Sequence, residues 1–222
     1  MALHKIDIRL RLELASALHI GTGYGLAGYL DARTFAGPDG YPLVPGSSLK
    51  GRLRFYTSQL LYSLSPDDET PLETLFGKEN QEGCLFYGDL RLAQAWQGLA
   101  SQPDGRTAPQ GLVTQRRTNV MLSRLRGVAL EHRLFTVEAA APHLTFEGDI
   151  GGILPDRGRV LEVGGRSLPY DLALLVAACC TLTHLGGRKS RGLGRARLVI
   201  ETDGLLVNDA PLDPLALLEA LL

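Results

Sequence analysis

Basic residues suited to phosphate binding lie beside glycine-rich segments at both ends of this sequence. Residues 45–54 read PGSSLKGRLR, and residues 186–194 read GGRKSRGLG. Glycine lets backbone N–H groups approach a ligand closely, and N–H groups at a helix start can face phosphate oxygens together with Lys and Arg. These residue types therefore favour contacts with a phosphate backbone. The candidate ligands are Ser47, Ser48, Lys50, Arg52, Arg54, Gly186, Gly187, Arg188, Lys189 and Arg191.

A further basic group occupies the middle of the chain, with Arg117 and Arg124 as its candidate ligands. The formal net charge is only −1, so the positive charge is clustered rather than in excess. Three basic clusters in a nearly neutral chain favour an RNA-binding or phosphate-binding stripe. The aromatic signature of RRM domains, in the order basic, glycine, aromatic, small, aromatic, is absent, so base stacking in the RRM manner is not predicted.

One acidic residue and one histidine flank the first glycine-rich segment, GTGYGLAG at 21–28. Asp31 follows this segment and the apolar pair Tyr29-Leu30, whereas His19 precedes it. A carboxylate in such a loop can serve as a proton acceptor or as a ligand of hydrated Mg²⁺. From the spacing alone, residue 31 is more usually a cap or turn residue, and residue 19 is more often a structural histidine than a catalytic one.

Other chemistries are not supported by the motifs. Neither glycine-rich segment has the spacing of a P-loop or of a dinucleotide-binding turn. The Ser47-x-x-Lys50 pattern lacks the partner motifs of penicillin-binding enzymes. Cys84, Cys179 and Cys180 do not have the paired spacing of a zinc site, and their odd number fits a reducing compartment better than a disulfide framework.

The hydropathy pattern predicts the elements that position these residues. Residues 6–14 alternate as a half-buried strand, and an amphipathic helix with a serine N-cap follows Pro45. Weaker patterns predict a strand at 84–92, paired strands within 128–150, a buried helix within 167–185 and a strand at 195–201. This order predicts an α+β fold with a ferredoxin-like (RRM-like) sheet. We expect one domain over 1–222, with insertions at about 63–83 and 101–135.

The sequence also limits the cellular location. The N-terminal segment alternates polar and apolar residues, unlike a signal peptide. The longest apolar stretch, Leu172 to Leu182, is about half the length needed to cross a bilayer. We expect a cytoplasmic protein with no membrane partner.

Several of these segments together resemble the RAMP superfamily of CRISPR systems. The likeness runs through LHIGTG at 18–23, Leu30-Asp31, LVPGSSLKGRLR at 43–54, VMLSRLRGVALEHRLFTVE at 120–138 and LGGRKSRGLGRARL at 185–198. It is strongest to the small backbone subunits that coat the guide RNA in type III effector complexes. The sequence departs from the family where an isoleucine-aspartate-arginine run is common, because it reads Leu122-Ser123-Arg124 here.

The resemblance implies a ferredoxin-like palm, an inserted thumb hairpin at about 101–135 and a glycine-rich C-terminal loop. It implies partners: guide RNA, single-stranded target RNA, further copies stacked head to tail in a filament, and other effector subunits. It also implies Mg²⁺-dependent cleavage of target RNA with Asp31 as the catalytic residue. The implied RNA-binding set is His19, Ser47, Ser48, Lys50, Arg52, Arg54, Arg117, Arg124, Gly186, Gly187, Arg188, Lys189 and Arg191.

Two alternatives remain at this point. The first is a purely structural RNA-binding subunit of the same complex, in which Asp31 is idle; an aspartate in the first loop favours cleavage over this reading. A free-standing RNA-processing endonuclease of the same superfamily would instead use His19 in an acid–base role.

Overall fold

A central antiparallel sheet, seen in a computed structural model, organises the chain. The structure describes residues 2–25, 30–66, 68–100, 110–122 and 125–221. The strands are β1 (Leu3–Leu14), β2 (Leu43–Val44), β3 (Leu85–Tyr87), β4 (Leu90–Leu92), β5 (Thr114–Leu122), β6 (Ala129–Ala140), β7 (Thr145–Pro155), β8 (Val160–Val163), β9 (Arg166–Pro169), β10 (Ala196–Val207) and β11 (Ala210–Pro211). The helices are α1 (Gly46–Leu64), α2 (Thr70–Phe76), α3 (Gln94–Ala100), α4 (Gln110–Val113), α5 (Tyr170–Thr181) and α6 (Pro214–Glu219), and a 3₁₀ turn covers Lys189–Arg191.

The main sheet has the strand order β11-β10-β1-β7-β4-β2, and β3 also pairs with β7. Every pairing in it is antiparallel. The first strand thus lies at the centre, between β10 and β7. Its predicted alternation is confirmed, because Ile6, Ile8, Leu10 and Leu12 are buried while the residues between them face solvent.

Two helices cover the buried face of this sheet. In α1, Leu49, Leu53 and Leu61 are buried at helical spacing, and α5 is buried along nearly its whole length. The two helices pack against each other, and they contact β3 and β10 respectively. The hydrophobic effect of this apolar layer accounts for the position of the core. None of the helices in the described ranges is long and apolar enough to span a bilayer.

Strands β5 and β6 form a separate hairpin, which contacts the segment between β1 and β2 that contains the first glycine-rich motif. The two strands pair from Thr114↔Ala140 to Leu122↔Ala129. The base of β6 meets the segment after β1 through a bridge between Leu18 and Ala140. Strands β8 and β9 form a second hairpin ahead of α5.

Three local predictions need correction. The residue before α1 is Pro45, and the backbone N–H of Gly46 is bonded by the Asp89 carboxylate at 2.8 Å, so no serine caps this helix. The strand predicted at 84–92 is two short strands, interrupted where Gly88 closely approaches Asp149. The strands predicted within 128–150 exist, but they do not pair with each other: β6 pairs with β5, and β7 pairs with β1.

The remaining element predictions hold with shifted bounds. The helix expected within 167–185 spans Tyr170–Thr181, since the residues before it form β9. The strand expected at 195–201 is the longer β10. The expected insertion at 63–83 contains α2, and the one at 101–135 contains α4, β5 and most of β6. Residues 101–109 of that insertion lie outside the described residues.

Candidate functional site

Asp31 lies exposed in a loop that is hydrogen-bonded to β6, along the edge of β6 that does not pair with β5. Its carboxylate Oδ2 accepts the backbone N–H of Thr136 at 2.6 Å, and its own N–H donates to the Thr136 carbonyl at 2.9 Å. The next residue, Ala32, forms a parallel bridge with Val137. Strand β6 therefore fixes both the backbone and the carboxylate of residue 31.

A buried glutamate, which the sequence analysis did not single out, also anchors this loop. Glu138 is 7% exposed, and its Oε2 accepts the backbone N–H of Thr34 at 3.3 Å and lies 3.8 Å from Nε of Arg33. Its backbone N–H donates to Ala32 O at 2.9 Å. A buried carboxylate is costly unless it is paired and hydrogen-bonded, as it is here. No local sequence signal indicates this burial, because the alternation of Phe135, Val137 and Ala139 places residue 138 on the polar side of the strand.

His19 connects β6 to the C-terminal glycine-rich loop. The ring is 6% exposed, and Nδ1 lies 2.6 Å from the carbonyl oxygen of Glu138. A carbonyl only accepts, so Nδ1 carries the proton. The backbone carbonyl of His19 in turn accepts the N–H of Gly187 at 3.1 Å. Burial and these two bonds give His19 a clear structural role.

The glycine-rich loop is shaped by close backbone approach. Gly186 has a φ of +73°, and a Cβ there would lie 2.6 Å from the carbonyl oxygen of His19. The base of the loop closes through the Leu185 N–H bond to Gly194 O at 2.8 Å. Arg188 adopts a left-handed φ of 61°, which is uncommon for a residue with a side chain. Such backbone conformations are concentrated at functional sites.

The cations of this loop lie against aromatic rings from two other elements. The guanidinium carbons of Arg188 and Arg191 are 5.1 and 5.0 Å from the ring centre of Phe135 in β6. Nζ of Lys189 is 6.0 Å from the ring centre of Phe55 in α1. All of these distances lie within the range of a cation–π interaction. The loop is thus held between β6 on one side and α1 on the other.

Arg52 joins the predicted α1 cations to the same surface. Its Nε donates to the carbonyl of His184 at 2.8 Å, and its guanidinium lies 4.8 Å from the ring of Phe55 and 5.0 Å from that of Tyr56. Burial raises the pKa of Tyr56, but hydrogen bonds with Thr183 and the charge of Arg52 outweigh it and leave that pKa below 10.0. The lowered pKa thus reflects the two hydrogen bonds with Thr183 first and the charge of Arg52 second.

Lys50 and Arg54 face the other flank of α1, as the spacing predicts. Nζ of Lys50 is 5.8 Å from the ring of Tyr87, in an open groove of about 490 Å³ that Ser47 also lines. Arg54 donates to the carbonyl of Gly77 at 3.1 Å, at the end of α2. Their contacts are thus with Tyr87 and Gly77, and among the described residues no contact joins them or the neighbouring Ser48 to Asp31. Their assignment to RNA stays a prediction.

The middle basic group lies on the hairpin. Arg117 is exposed on β5, opposite Val137 of β6. Arg124 lies outside the described residues. The structure therefore links Asp31 to the loop cations through two neighbouring residues of β6, Thr136 and Phe135. It links Arg52 to the same loop through Phe55, which Lys189 also contacts.

The residues around Asp31 are compatible with a hydrated metal ion but not with a protein cage. In the parts of the chain that the structure describes, no three His, Cys, Asp or Glu side chains gather as metal ligands. Mg²⁺ usually keeps several waters and is bound by one or two carboxylates together with substrate phosphates. One exposed carboxylate, with Oδ2 oriented by Thr136, fits that mode of binding.

Comparison with known proteins identifies the likeness. The family model of the RAMP superfamily matches residues 11–197. The CRISPR system Cms endoribonuclease Csm3 of Enterococcus italicus is 25% identical over 217 residues, which cover 92% of this chain and 94% of that protein.

Solved structures show the same fold. A chain of the type III-B Cmr-beta complex in the apo state aligns with a TM-score of 0.61 at 14% identity, covering 89% of this chain and 98% of that chain. A chain of the type III-B Cmr-beta complex bound to cognate target RNA aligns with a TM-score of 0.60 at 13% identity, covering 86% of this chain and 96% of that chain.

Proposed function

This chain belongs to the RAMP superfamily, and we propose that it is a backbone subunit of a type III CRISPR effector complex that binds guide RNA and cleaves guide-paired target RNA. The observation that carries the proposal is the docking of the Asp31 loop on β6, next to a surface of Arg and Lys side chains. The endoribonuclease activity in the name of the Enterococcus italicus relative supports the cleavage part.

The fold assignment that fits this function is a ferredoxin-like palm. Its strand–helix–strand–strand–helix–strand path is β1, α1, β4, β7, α5 and β10, and the order of these strands in the sheet is β10-β1-β7-β4. The β5–β6 hairpin then corresponds to the thumb, inserted between the second and third strands of the palm. We infer a single domain in which the thumb and the C-terminal loop together frame the RNA path.

Contacts of basic side chains with the phosphate backbone of the RNA would supply most of the affinity. Arg188, Lys189 and Arg191 bring three cations to one short turn. Among the described residues, no carboxylate forms an ion pair with any of the three. Unneutralised cations of this kind bind phosphates with little regard for sequence. Sequence specificity would come from pairing between guide and target.

Cleavage would use the 2′-hydroxyl of the target as the nucleophile. Asp31 accepts the proton of that hydroxyl while the 2′-oxygen bonds to the adjacent phosphorus. The bond from phosphorus to the 5′-oxygen breaks, and the 5′-oxygen takes a proton from solvent, which leaves a 2′,3′-cyclic phosphate. The bond from Thr136 N–H to Oδ2 orients the carboxylate, so its other oxygen is available to the substrate. DNA lacks the 2′-hydroxyl and is not a substrate of this reaction.

Mg²⁺ is the proposed cofactor, and Asp31 would hold it through water molecules and the scissile phosphate. Bound there, it would neutralise charge on the phosphate. The chain's own contribution is to keep the carboxylate in place.

A structural subunit without cleavage is the second candidate. The observation that favours it is the same hydrogen bond, because a carboxylate oxygen that accepts Thr136 N–H has a sufficient role in holding the loop. A processing nuclease that relies on His19 is supported less, since that ring is buried and committed to Glu138 O.

The proposal is tested by purifying the tagged protein from its own cells and sequencing the RNA that accompanies it. We expect guides that share a repeat-derived 5′ tag, together with other effector subunits. Light scattering after size exclusion should show growth of the assembly when guide-length RNA is added to the purified chain. A monomer with and without RNA, and no tagged guides, would contradict the proposal.

A further inference from the structure

One aromatic ring contacts two of the three loop cations. Phe135 lies about equally far from the guanidinium carbons of Arg188 and Arg191. We propose that Phe135 is a positioning residue for RNA binding, whose ring holds both guanidinium groups in place before the RNA arrives. The inference rests on the proposed function and adds to it a residue that need not touch RNA itself.

The physical reason is the cost of ordering long side chains. An exposed arginine samples many rotamers, and fixing one rotamer-rich side chain on binding costs affinity. A ring that already holds the guanidinium reduces this cost. The contact with the ring face occupies none of the guanidinium N–H donors, so these donors remain available to phosphate oxygens.

Phe135 is not needed for the packing of the loop on β6. That packing is made by Ala17, Ala139 and Leu193, which form a buried cluster of their own. Phe135 is only partly buried and lies further along the same face of β6, where the cations are. Its strand neighbour Thr136 bonds Asp31, so the ring also links the loop cations to the strand that holds the catalytic carboxylate.

The test compares Phe135→Leu with Phe135→Tyr, which keeps an aromatic ring. Binding of the full-length chain to a fluorescein-labelled oligouridine is measured by anisotropy, in the wild-type background and in an Arg188→Ala/Arg191→Ala background. Tyr62→Leu is the matched control, since Tyr62 is an exposed ring of α1 outside the site. Thermal melting shows whether each variant folds.

Phe135→Leu should weaken binding about 5- to 100-fold, as expected from the ordering of two long side chains. Phe135→Tyr should restore binding, and Tyr62→Leu should leave it unchanged. In the background without the two arginines, Phe135→Leu should have no further effect. Such non-additivity is the signature of residues that act through each other.

An equal loss in both backgrounds would overturn the inference, because the ring would then act independently of the arginines. Failure of Phe135→Tyr to rescue a folded protein would also overturn it. If the wild-type chain does not bind the RNA, the proposed function itself fails. If Arg188→Ala weakens binding and Phe135→Leu does not, only the inference about Phe135 fails.

Discussion

Replacement of Gly186 by alanine tests how the C-terminal loop is held. Two penalties apply at this position: the backbone has a φ of +73°, and the new Cβ would lie 2.6 Å from His19 O. A left-handed residue with a side chain costs about 1–2 kcal/mol. Relief of the clash requires the loop to move and breaks the Gly187–His19 hydrogen bond, worth about 1 kcal/mol. We therefore expect Gly186→Ala to lower the free energy of unfolding by about 2–3 kcal/mol.

The same loop offers a matched control in Gly192. Its φ is +76°, but a Cβ there would meet nothing within 4 Å. Gly192→Ala thus carries the backbone penalty alone, about 1–2 kcal/mol. Urea unfolding of both variants measures the difference in stability.

Binding to RNA provides the functional comparison. Gly186→Ala displaces the start of the turn that carries Arg188, Lys189 and Arg191, so up to three phosphate contacts are lost. The slope of log affinity against log salt should then fall by up to about 2, at roughly 0.7 for each contact with single-stranded RNA. Gly192→Ala should bind close to wild type. Equal losses of stability and affinity in the two variants would refute the close-approach argument.

Three further predictions concern single side chains. Burial raises the pKa of Asp171 from 3.8 to about 6, so ionisation of this carboxyl destabilises the fold. Since one pKa unit is worth about 1.4 kcal/mol, Asp171→Asn should add up to about 3 kcal/mol to the unfolding free energy near pH 8 and nothing below about pH 4. No gain at the higher pH would contradict this. Arg188→Ala and Arg52→Ala should each lower the salt slope for RNA binding by about 0.7, equally for unrelated sequences, whereas sequence-selective losses would indicate base readout. Glu138→Ala leaves the Thr34 N–H unpaired and should cost about 1–3 kcal/mol in urea unfolding, while Glu138→Gln keeps an acceptor and should cost less; the reverse order would contradict the anchoring role.

Local pattern was enough to predict the elements whose burial is periodic. β1 alternates along its whole length because one face of it meets the helices, and α5 is apolar because it is buried on all sides. The bounds of α5 differ because β9 occupies the residues before it, which is a matter of tertiary pairing. The serine cap of α1 was wrong for a similar reason, since Asp89, 43 residues away in sequence, bonds the first helical N–H.

For the candidate site, the sequence analysis named residues but not the contacts that hold them. Asp31 and the loop cations were found from resemblance and charge clustering, whereas Glu138 and Phe135 were not singled out. Their roles depend on contacts between segments that lie far apart in the sequence: Asp31 meets Thr136 across 105 residues. No local pattern encodes which strand edge a loop will bond to, so such anchors become visible only once the hairpin is in place.

The carboxylate of Asp31 is the centre of the proposed activity, and Asp31→Asn tests it most directly. The amide oxygen of asparagine can still accept Thr136 N–H, so the variant keeps the loop bond and loses the charge. Cleavage of a guide-matched RNA is measured with Mg²⁺ in the assembled complex, alongside binding of guide and target. We expect cleavage to fall by roughly 10²- to 10⁴-fold, as on loss of a positioned proton acceptor, with both RNAs still bound. Cleavage at the wild-type rate by Asp31→Asn would contradict the catalytic assignment and leave the structural subunit as the better account.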